Sequence, residues 1–225
     1  MTDTFFRPIS GMELPRFAGI ATFMRLPHVP LTHPRVSDVQ IGLVGLPFDG
    51  GVSNRPGPRH GPRALRDAST MIRAQNGATG VRPFELVRCA DLGDVGPNPV
   101  DGPDTLERFE RFYVDVKSRG IRPLSAGGDH LCTLPVLRGI AKYEPLGLVH
   151  FDSHTDLYPA YFGGKTLTHG NPFRNAVEEG LLEAKRMIQI GIRGTTYDNI
   201  DIDFAKANGI RIVRIEELFA RGISD

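Results

Sequence analysis

Six short runs of branched and apolar residues recur along the chain, and stretches with helical spacing fill the intervals between them. No other feature narrows the fold as much. The runs cover residues 39–46, 86–92, 121–126, 146–151, 186–192 and 210–215, each bounded by Gly, Pro or Asp. Several are nearly continuous apolar stretches instead of alternating ones, the pattern of strands covered on both faces. Between them, 61–71 carries Pro62 at an early helical position. Residues 104–119 place Leu106, Phe109, Phe112 or Tyr113, and Val116 at a spacing of three to four. Residues 132–143 and 171–182 look similar, and a short helix over 204–207 stops at Asn208-Gly209, a good C-terminal cap. Strands alternating with helices in this way make βαβ units and a parallel sheet. The expected fold is α/β, a three-layer α/β/α sandwich with a mainly parallel sheet, over residues 38–225. Residues 1–37, with scattered Pro and Gly and little periodicity, are expected to form an irregular arm.

Composition removes other classes. A chain of 225 residues with 40% apolar and 24% charged residues can bury a sizeable core. Lys and Arg total 27 against 26 Asp and Glu, so no basic excess points to nucleic acid. No apolar run approaches the length of a membrane-spanning helix. The start, Met1-Thr2-Asp3-Thr4, lacks the basic-then-apolar pattern of a secretory signal. Cys89 and Cys132 are too few for a disulfide framework or a zinc ribbon. A reduced, cytoplasmic protein is expected.

In parallel sheets, functional groups gather at the carboxyl ends of the strands. The fourth run ends in His150-Phe151-Asp152-Ser153-His154-Thr155-Asp156. On an extended strand Asp152, His154 and Asp156 would face one side, but the two aspartates would lie about 13 Å apart. Joint ligation of one small cluster therefore requires the chain to leave the strand near Asp152 and curl back, which Ser153 and Thr155 permit. Imidazole with carboxylate is a ligand set for Mn, Fe, Ni or Zn, and oxygen-rich sets lean to Mn; a solvated strand end with a helix cap is the plainer reading. The third run ends in Ala126-Gly127-Gly128-Asp129-His130. Its two glycines allow a tight turn and close approach, and His130 is either a metal ligand or a capping residue. His169, in Thr168-His169-Gly170-Asn171, is either a surface loop residue or a proton shuttle, work that suits imidazole. Gly50-Gly51-Val52 leads to no Gly-Lys-Ser/Thr, so a phosphate loop is not expected.

Together, Gly127-Gly128-Asp129-His130, the 150–156 motif and His169-Gly170 resemble the ureohydrolases, the arginase/agmatinase family. The segment Arg55-Pro56-Gly57-Pro58-Arg59-His60-Gly61-Pro62-Arg63 resembles the family's entrance loop, and Asp91-Leu92-Gly93-Asp94 also fits. Thr22-Phe23-Met24-Arg25-Leu26-Pro27-His28 is closer to the agmatinase and guanidino-acid hydrolase branch than to arginase proper. The resemblance implies hydrolysis of a guanidino compound to urea and an amine at a centre of two Mn2+ ions. It implies His130 and Asp156 on the first metal, His154 on the second, and Asp152 bridging both. His169 would be the catalytic proton shuttle, and Asp156 would also orient the attacking hydroxide. Agmatine leads as substrate, with guanidinobutyrate and guanidinopropionate close behind. A homo-oligomer with no nucleic-acid or membrane partner is implied. Deacetylase-like hydrolases share the fold, but the aspartates flanking His154 and the His169 motif fit guanidine hydrolysis better.

One departure matters. The family's remaining metal ligands lie in a later S-x-D-x-D-x-x-D-P type motif, and residues 1–225 contain none. Asp198-Asn199-Ile200-Asp201-Ile202-Asp203 is no substitute, because Phe204-Ala205-Lys206 follows it instead of the expected x-x-Asp-Pro. A later glutamate that contacts the guanidinium in the family is missing too. The sequence is therefore expected to be part of a longer enzyme; a catalytically incomplete paralogue serving as a binding or regulatory subunit is the alternative. In the family fold the last two strands lie between the third and fourth, which would leave those two roughly 14 Å apart here. Residues 1–225 alone are then expected to be inactive, to bind Mn weakly and to aggregate or fold only partly. The competing expectation is a repaired sheet in which the third strand pairs directly with the fourth.

Overall fold

A computed structural model describes residues 3–222. The chain divides into two compact units, Met1–Asp49 with Pro56–Gly128, and Gly50–Arg55 with Asp129–Asp225. Every ladder in both is parallel.

The first unit carries β1 (Ile41–Leu46), β2 (Cys89–Asp94) and β3 (Arg122–Gly127) in the order β2-β1-β3, with helices α1 (Gly61–Ser69), α2 (Pro83–Leu86) and α3 (Gly102–Ser118). Helix α3 forms where its apolar spacing predicts it. Asp101 caps it, accepting from the Asp104 N–H at 3.0 Å. Leu106, Phe109, Tyr113 and Val116 are buried on one face, and the Tyr113 hydroxyl meets Ser125 Oγ at 2.5 Å. The run expected as a strand over 86–92 begins later, at Cys89. Pro83, with its φ pre-set for a first helical turn, starts α2 instead. The arm is irregular but anchored: three short 3-10 turns interrupt it, and Phe6, Phe23, Leu26 and Val29 are buried.

Asp91 ties the arm to the sheet. Its carboxylate accepts from Arg66 Nε at 2.8 Å and Nη2 at 3.0 Å, from the Phe23 N–H at 3.0 Å and from the Gly93 N–H at 2.8 Å. Burial pushes its pKa up, but these donors and the Arg66 charge outweigh it and hold the carboxyl below its ordinary value. A depressed folded pKa stabilises the fold above the unfolded carboxylate pKa of about 3.9, and that contribution is lost as pH falls through the folded value. Asp91→Ala, which removes the buried carboxylate that Arg66 grips with two nitrogens and leaves Arg66 paired with Asp94 alone, is expected to cost about 2–3 kcal/mol at neutral pH. The check is denaturant unfolding at several pH values: the gap between wild type and variant should shrink in acid. A gap below about 1 kcal/mol at neutral pH would contradict the assignment.

The second unit carries β4 (Leu146–Phe151), β5 (Leu182–Ile192) and β6 (Arg211–Arg214) in the order β4-β5-β6, with helices α4 (Thr133–Ala141), α5 (Pro172–Glu178), α6 (Ile200–Asn208) and α7 (Ile215–Arg221). Helix α5 stops before the expected 182 because Gly180, at φ 72°, closes it: the Leu181 N–H bonds the Ala176 carbonyl and the Gly180 N–H that of Val177. β5 can then start at Leu182. Gly209, at φ 77°, ends α6 by the same motif, at the cap the sequence marks. Helix α6 begins four residues before the expected 204 and takes in Asp201 and Asp203.

Among the described residues no ladder joins β3 to β4, so the repaired sheet is not seen: β3 takes β1 as its ladder partner and β4 takes β5, and each is an edge strand of its own sheet. That edge position explains why these two strands are not covered as their apolar sequence predicts. Leu124 is 56% exposed on β3, and Val149 and Phe151 are 62% and 74% exposed on β4.

Candidate metal centre

The chain leaves β4 after Phe151 and turns back on itself. Asp156 sits at φ 52°, in the left-handed region that a short polar side chain tolerates better than most. The Arg193 N–H bonds the Ser153 carbonyl at 2.9 Å and holds the turn against the end of β5. This is the curl that joint ligation requires. It brings Asp152 and Asp156 together with His130, which opens the 3-10 turn His130–Cys132 ahead of α4.

Four side chains, His130, His150, Asp152 and Asp156, each place a donor atom within 4.8 Å of the others. His130 Nδ1 lies 2.7 Å from Asp156 Oδ2 and 3.5 Å from Asp152 Oδ2. Asp152 faces two ways: Oδ2 turns toward His130 and His150, whereas Oδ1 accepts the His154 N–H at 3.0 Å and lies 3.7 Å from His154 Nδ1. His154 itself stands outside the four-residue group, with its side chain 75% exposed. Asp129, next to His130, acts on the backbone. It accepts the Leu131 N–H at 2.8 Å and the Gly51 N–H at 2.7 Å, which pins the loop 50–55 beside the His130 turn.

His150 was not among the expected ligands, and its hydrogen bonds define its part. Gln189, fully buried on β5 directly opposite in the ladder, uses its amide nitrogen on both the Thr155 carbonyl at 2.6 Å and His150 Nδ1 at 3.1 Å. The Thr155 carbonyl can only accept, which fixes the amide orientation. His150 Nδ1 must then accept, so its proton sits on Nε2, 3.3 Å from Asp152 Oδ2. His150 therefore donates to the carboxylate and orients it, the support that metal-binding carboxylates need. Phe173 packs against both imidazoles, with ring centroids 4.5 Å from His150 and 5.1 Å from His130.

The electrostatics favour a cation. Burial works against ionised Asp152, but the His150 hydrogen bond, the His154 N–H and the charge of His130 hold its pKa far below the ordinary carboxylate range. Burial works against protonated His130, yet the Asp156 hydrogen bond and the charges of Asp156, Asp152 and Asp129 push its pKa up. A proton on His130 thus stands where a bound cation would serve the same carboxylates. Two carboxylates and an imidazole nitrogen within bonding reach of one point suit a divalent ion such as Mn2+, and the residues present fit it.

His169 lies across a cavity of about 450 Å³ whose wall also includes His154, Asp156, Tyr158, Tyr161 and Arg193. Its backbone N–H bonds the Gly51 carbonyl at 2.9 Å, and its Nε2 meets Ser53 Oγ at 2.8 Å and the Ser53 N–H at 3.3 Å. Gly170 beside it has to be glycine for Tyr161 to lie where it does, since a Cβ there would fall 2.6 Å from the Tyr161 hydroxyl. Burial and the charge of Asp156 push the Tyr161 pKa up to about 12, so it stays a neutral phenol. Asp201 is committed elsewhere, accepting from Thr155 Oγ1 at 2.6 Å. No second metal cluster is present among the described residues.

Residues 39–225 match the arginase family model. A guanidinopropionase of Pseudomonas aeruginosa is 48% identical over 223 residues, which are 99% of this chain and 69% of that relative. A guanidinobutyrase of the same species is 42% identical, covering 99% of this chain and 70% of the relative. The mitochondrial agmatinase of Gallus gallus is 39% identical, covering 96% and 62%. Among solved structures, proclavaminate amidinohydrolase from Streptomyces clavuligerus matches with a TM-score of 0.85 at 37% identity, covering 93% of this chain and 68% of that one. The chain thus spans 62% to 70% of the length of these three curated relatives.

A parallel α/β fold with a histidine–carboxylate cluster at its strand ends defines a metal-dependent hydrolase of the three-layer α/β/α class. The chain belongs to the arginase family, in the branch of agmatinases and guanidino-acid hydrolases, and is an amidinohydrolase of that family.

Proposed function

We propose that the protein hydrolyses a guanidino acid, guanidinopropionate or guanidinobutyrate, to urea and the corresponding amino acid with two bound Mn2+ ions. The observation that carries this reading is the His130–Asp152–Asp156 cluster, beside a cavity that also holds His169, in a chain 48% identical to a guanidinopropionase. Agmatine, which the resemblance puts first, moves behind the guanidino acids because the relatives named for those acids are the more similar ones.

His130 Nδ1, Asp156 Oδ2 and Asp152 Oδ2 would hold one cation, and Asp152 Oδ1 with His154 Nδ1 points toward a second. Such ions, when bound, supply a Lewis acid and a water of lowered pKa as nucleophile for the guanidinium carbon. The chain's own residues do the rest. His150 fixes the Asp152 carboxylate through its Nε2–H, and Gln189 fixes His150. Asp156 is placed to orient the nucleophile. The Ser53 N–H donates to His169 Nε2, so the neutral ring carries its proton on Nδ1; as a shuttle it would take up the proton released by the nucleophile at Nε2 and give one to the leaving amine, ending neutral again.

Urea release from guanidinopropionate, guanidinobutyrate and agmatine by the full-length, Mn-loaded protein tests the reading. A kcat/KM for one guanidino acid at least about tenfold above agmatine is expected; the reverse order would overturn the substrate, and no urea from any would overturn the reaction. His169→Ala should keep its metal and lose about 10²- to 10⁴-fold in kcat. Metal loss in that variant would instead make His169 a ligand.

A further inference from the structure

The arm borders a second, open cavity of about 620 Å³, wholly within the first unit. Arg25 lines it, only 7% exposed, and neither Nη1 nor Nη2 has a hydrogen-bond partner. A guanidinium stays charged at any pH the fold survives, and a buried charge without a counter-charge or acceptor is strongly disfavoured. An arginine at a surface arm would ordinarily extend its head into water. Here the backbone turns it inward, through two consecutive non-glycine residues in the left-handed region, Met24 at φ 54° and Arg25 at φ 59°. The Met24 N–H is held by Ser69 Oγ at 2.8 Å, and the Arg25 carbonyl by the Ile9 N–H at 3.3 Å.

The carboxylates in the same wall are already engaged. Arg66 takes Asp91 with Nε and Nη2 and Asp94 with Nη1 at 2.5 Å. Arg7, Arg25 and Arg66 face only those two aspartates around the cavity, which leaves it one positive charge in excess. Leu14, Ala18 and Leu26 supply an apolar lining beside it.

We propose that this cavity is a carboxylate-binding site, in which the two terminal nitrogens of Arg25 hold a planar oxyanion by paired hydrogen bonds and the apolar wall takes its stem. The bonding is the same for a free small carboxylate and for an Asp or Glu side chain of a second copy of this chain. Met12, Phe17 and Ile20, all more than 90% exposed on the arm, would suit the second source.

Thermal unfolding of the full-length, Mn-loaded protein, with sodium acetate replacing sodium chloride at constant ionic strength, tests the site. If the ligand is free, Tm rises with acetate by about 5 °C near saturation, and Arg25→Met removes the rise. If a second copy supplies it, acetate changes nothing, and Tm rises with protein concentration in the wild type but not in Arg25→Met. Either result supports the site and identifies the source. A response to acetate and to concentration that is absent, or identical in Arg25→Met, overturns it, and the guanidinium is then satisfied by water. Should Arg25→Met fail to fold, the nitrogen resonances of the Arg25 guanidinium in the labelled wild type decide: movement in acetate, or between low and high protein concentration, supports the site, and constancy in both refutes it.

Discussion

Asp152→Ala is expected to empty both proposed metal positions and to lower kcat/KM for urea release by roughly a thousandfold or more. Among the described residues Asp152 is the one carboxylate whose two oxygens address different imidazoles, Oδ2 toward His130 and His150 and Oδ1 toward His154. Removing it deletes a donor from each side and also frees His150, whose Nε2–H has Asp152 as its acceptor. Asp156→Ala should be milder for metal content, because its Oδ2 lies beside His130 alone. Metal analysis after gel filtration separates the two: near-zero Mn in Asp152→Ala against partial Mn in Asp156→Ala. Full Mn occupancy in Asp152→Ala would remove it from the centre.

The largest expected effect on stability comes from Gly128→Ala. A Cβ at Gly128 would lie 1.7 Å from the Phe48 carbonyl oxygen and 2.8 Å from the Phe48 nitrogen, both backbone atoms. The Gly128 N–H bonds the Leu46 carbonyl at 2.9 Å, so the end of β3 cannot draw away without breaking that bond to the end of β1. Overpacking against backbone has no rotamer to relax through, and a loss of about 4 kcal/mol or more is expected, a fall in Tm of roughly 10 °C. Gly77→Ala makes the control, with nothing within 4 Å of the added carbon. Both substitutions restrict the unfolded chain equally, so the difference reports the clash. A Gly128→Ala Tm within about 2 °C of wild type would contradict the packing.

These two positions also show what can be read from the sequence. Gly127-Gly128 announces a close approach, but the partner, Phe48, lies eighty residues away and is fixed only once β1 and β3 pair. The alternation of Asp152, His154 and Asp156 marks a metal site, and the conflict between that spacing and strand geometry predicts the turn that Asp156 makes with its positive φ. His150 sits in the same alternation, two residues before Asp152, and could have been read from it. Gln189 could not, since its pairing with His150 depends on the β4–β5 register and no local pattern carries that. Strand and helix order is legible from apolar spacing throughout. The exceptions are α2, where Pro83 turns a β-branched run's start into helix, and α7, a seven-residue helix with no buried residue to give it a period. Arg25 reads as an ordinary arm residue, because nothing near it in sequence signals that its head group is enclosed.

The most direct measurement is a manganese titration of the metal-stripped, full-length protein that follows urea release from guanidinopropionate and guanidinobutyrate together with bound Mn per chain. Activity should appear only with metal and saturate at two Mn2+ per chain. Two bound Mn2+ with no urea from either substrate, or urea from protein kept in chelator, would contradict a guanidino-acid hydrolase built on His130, Asp152, His154 and Asp156.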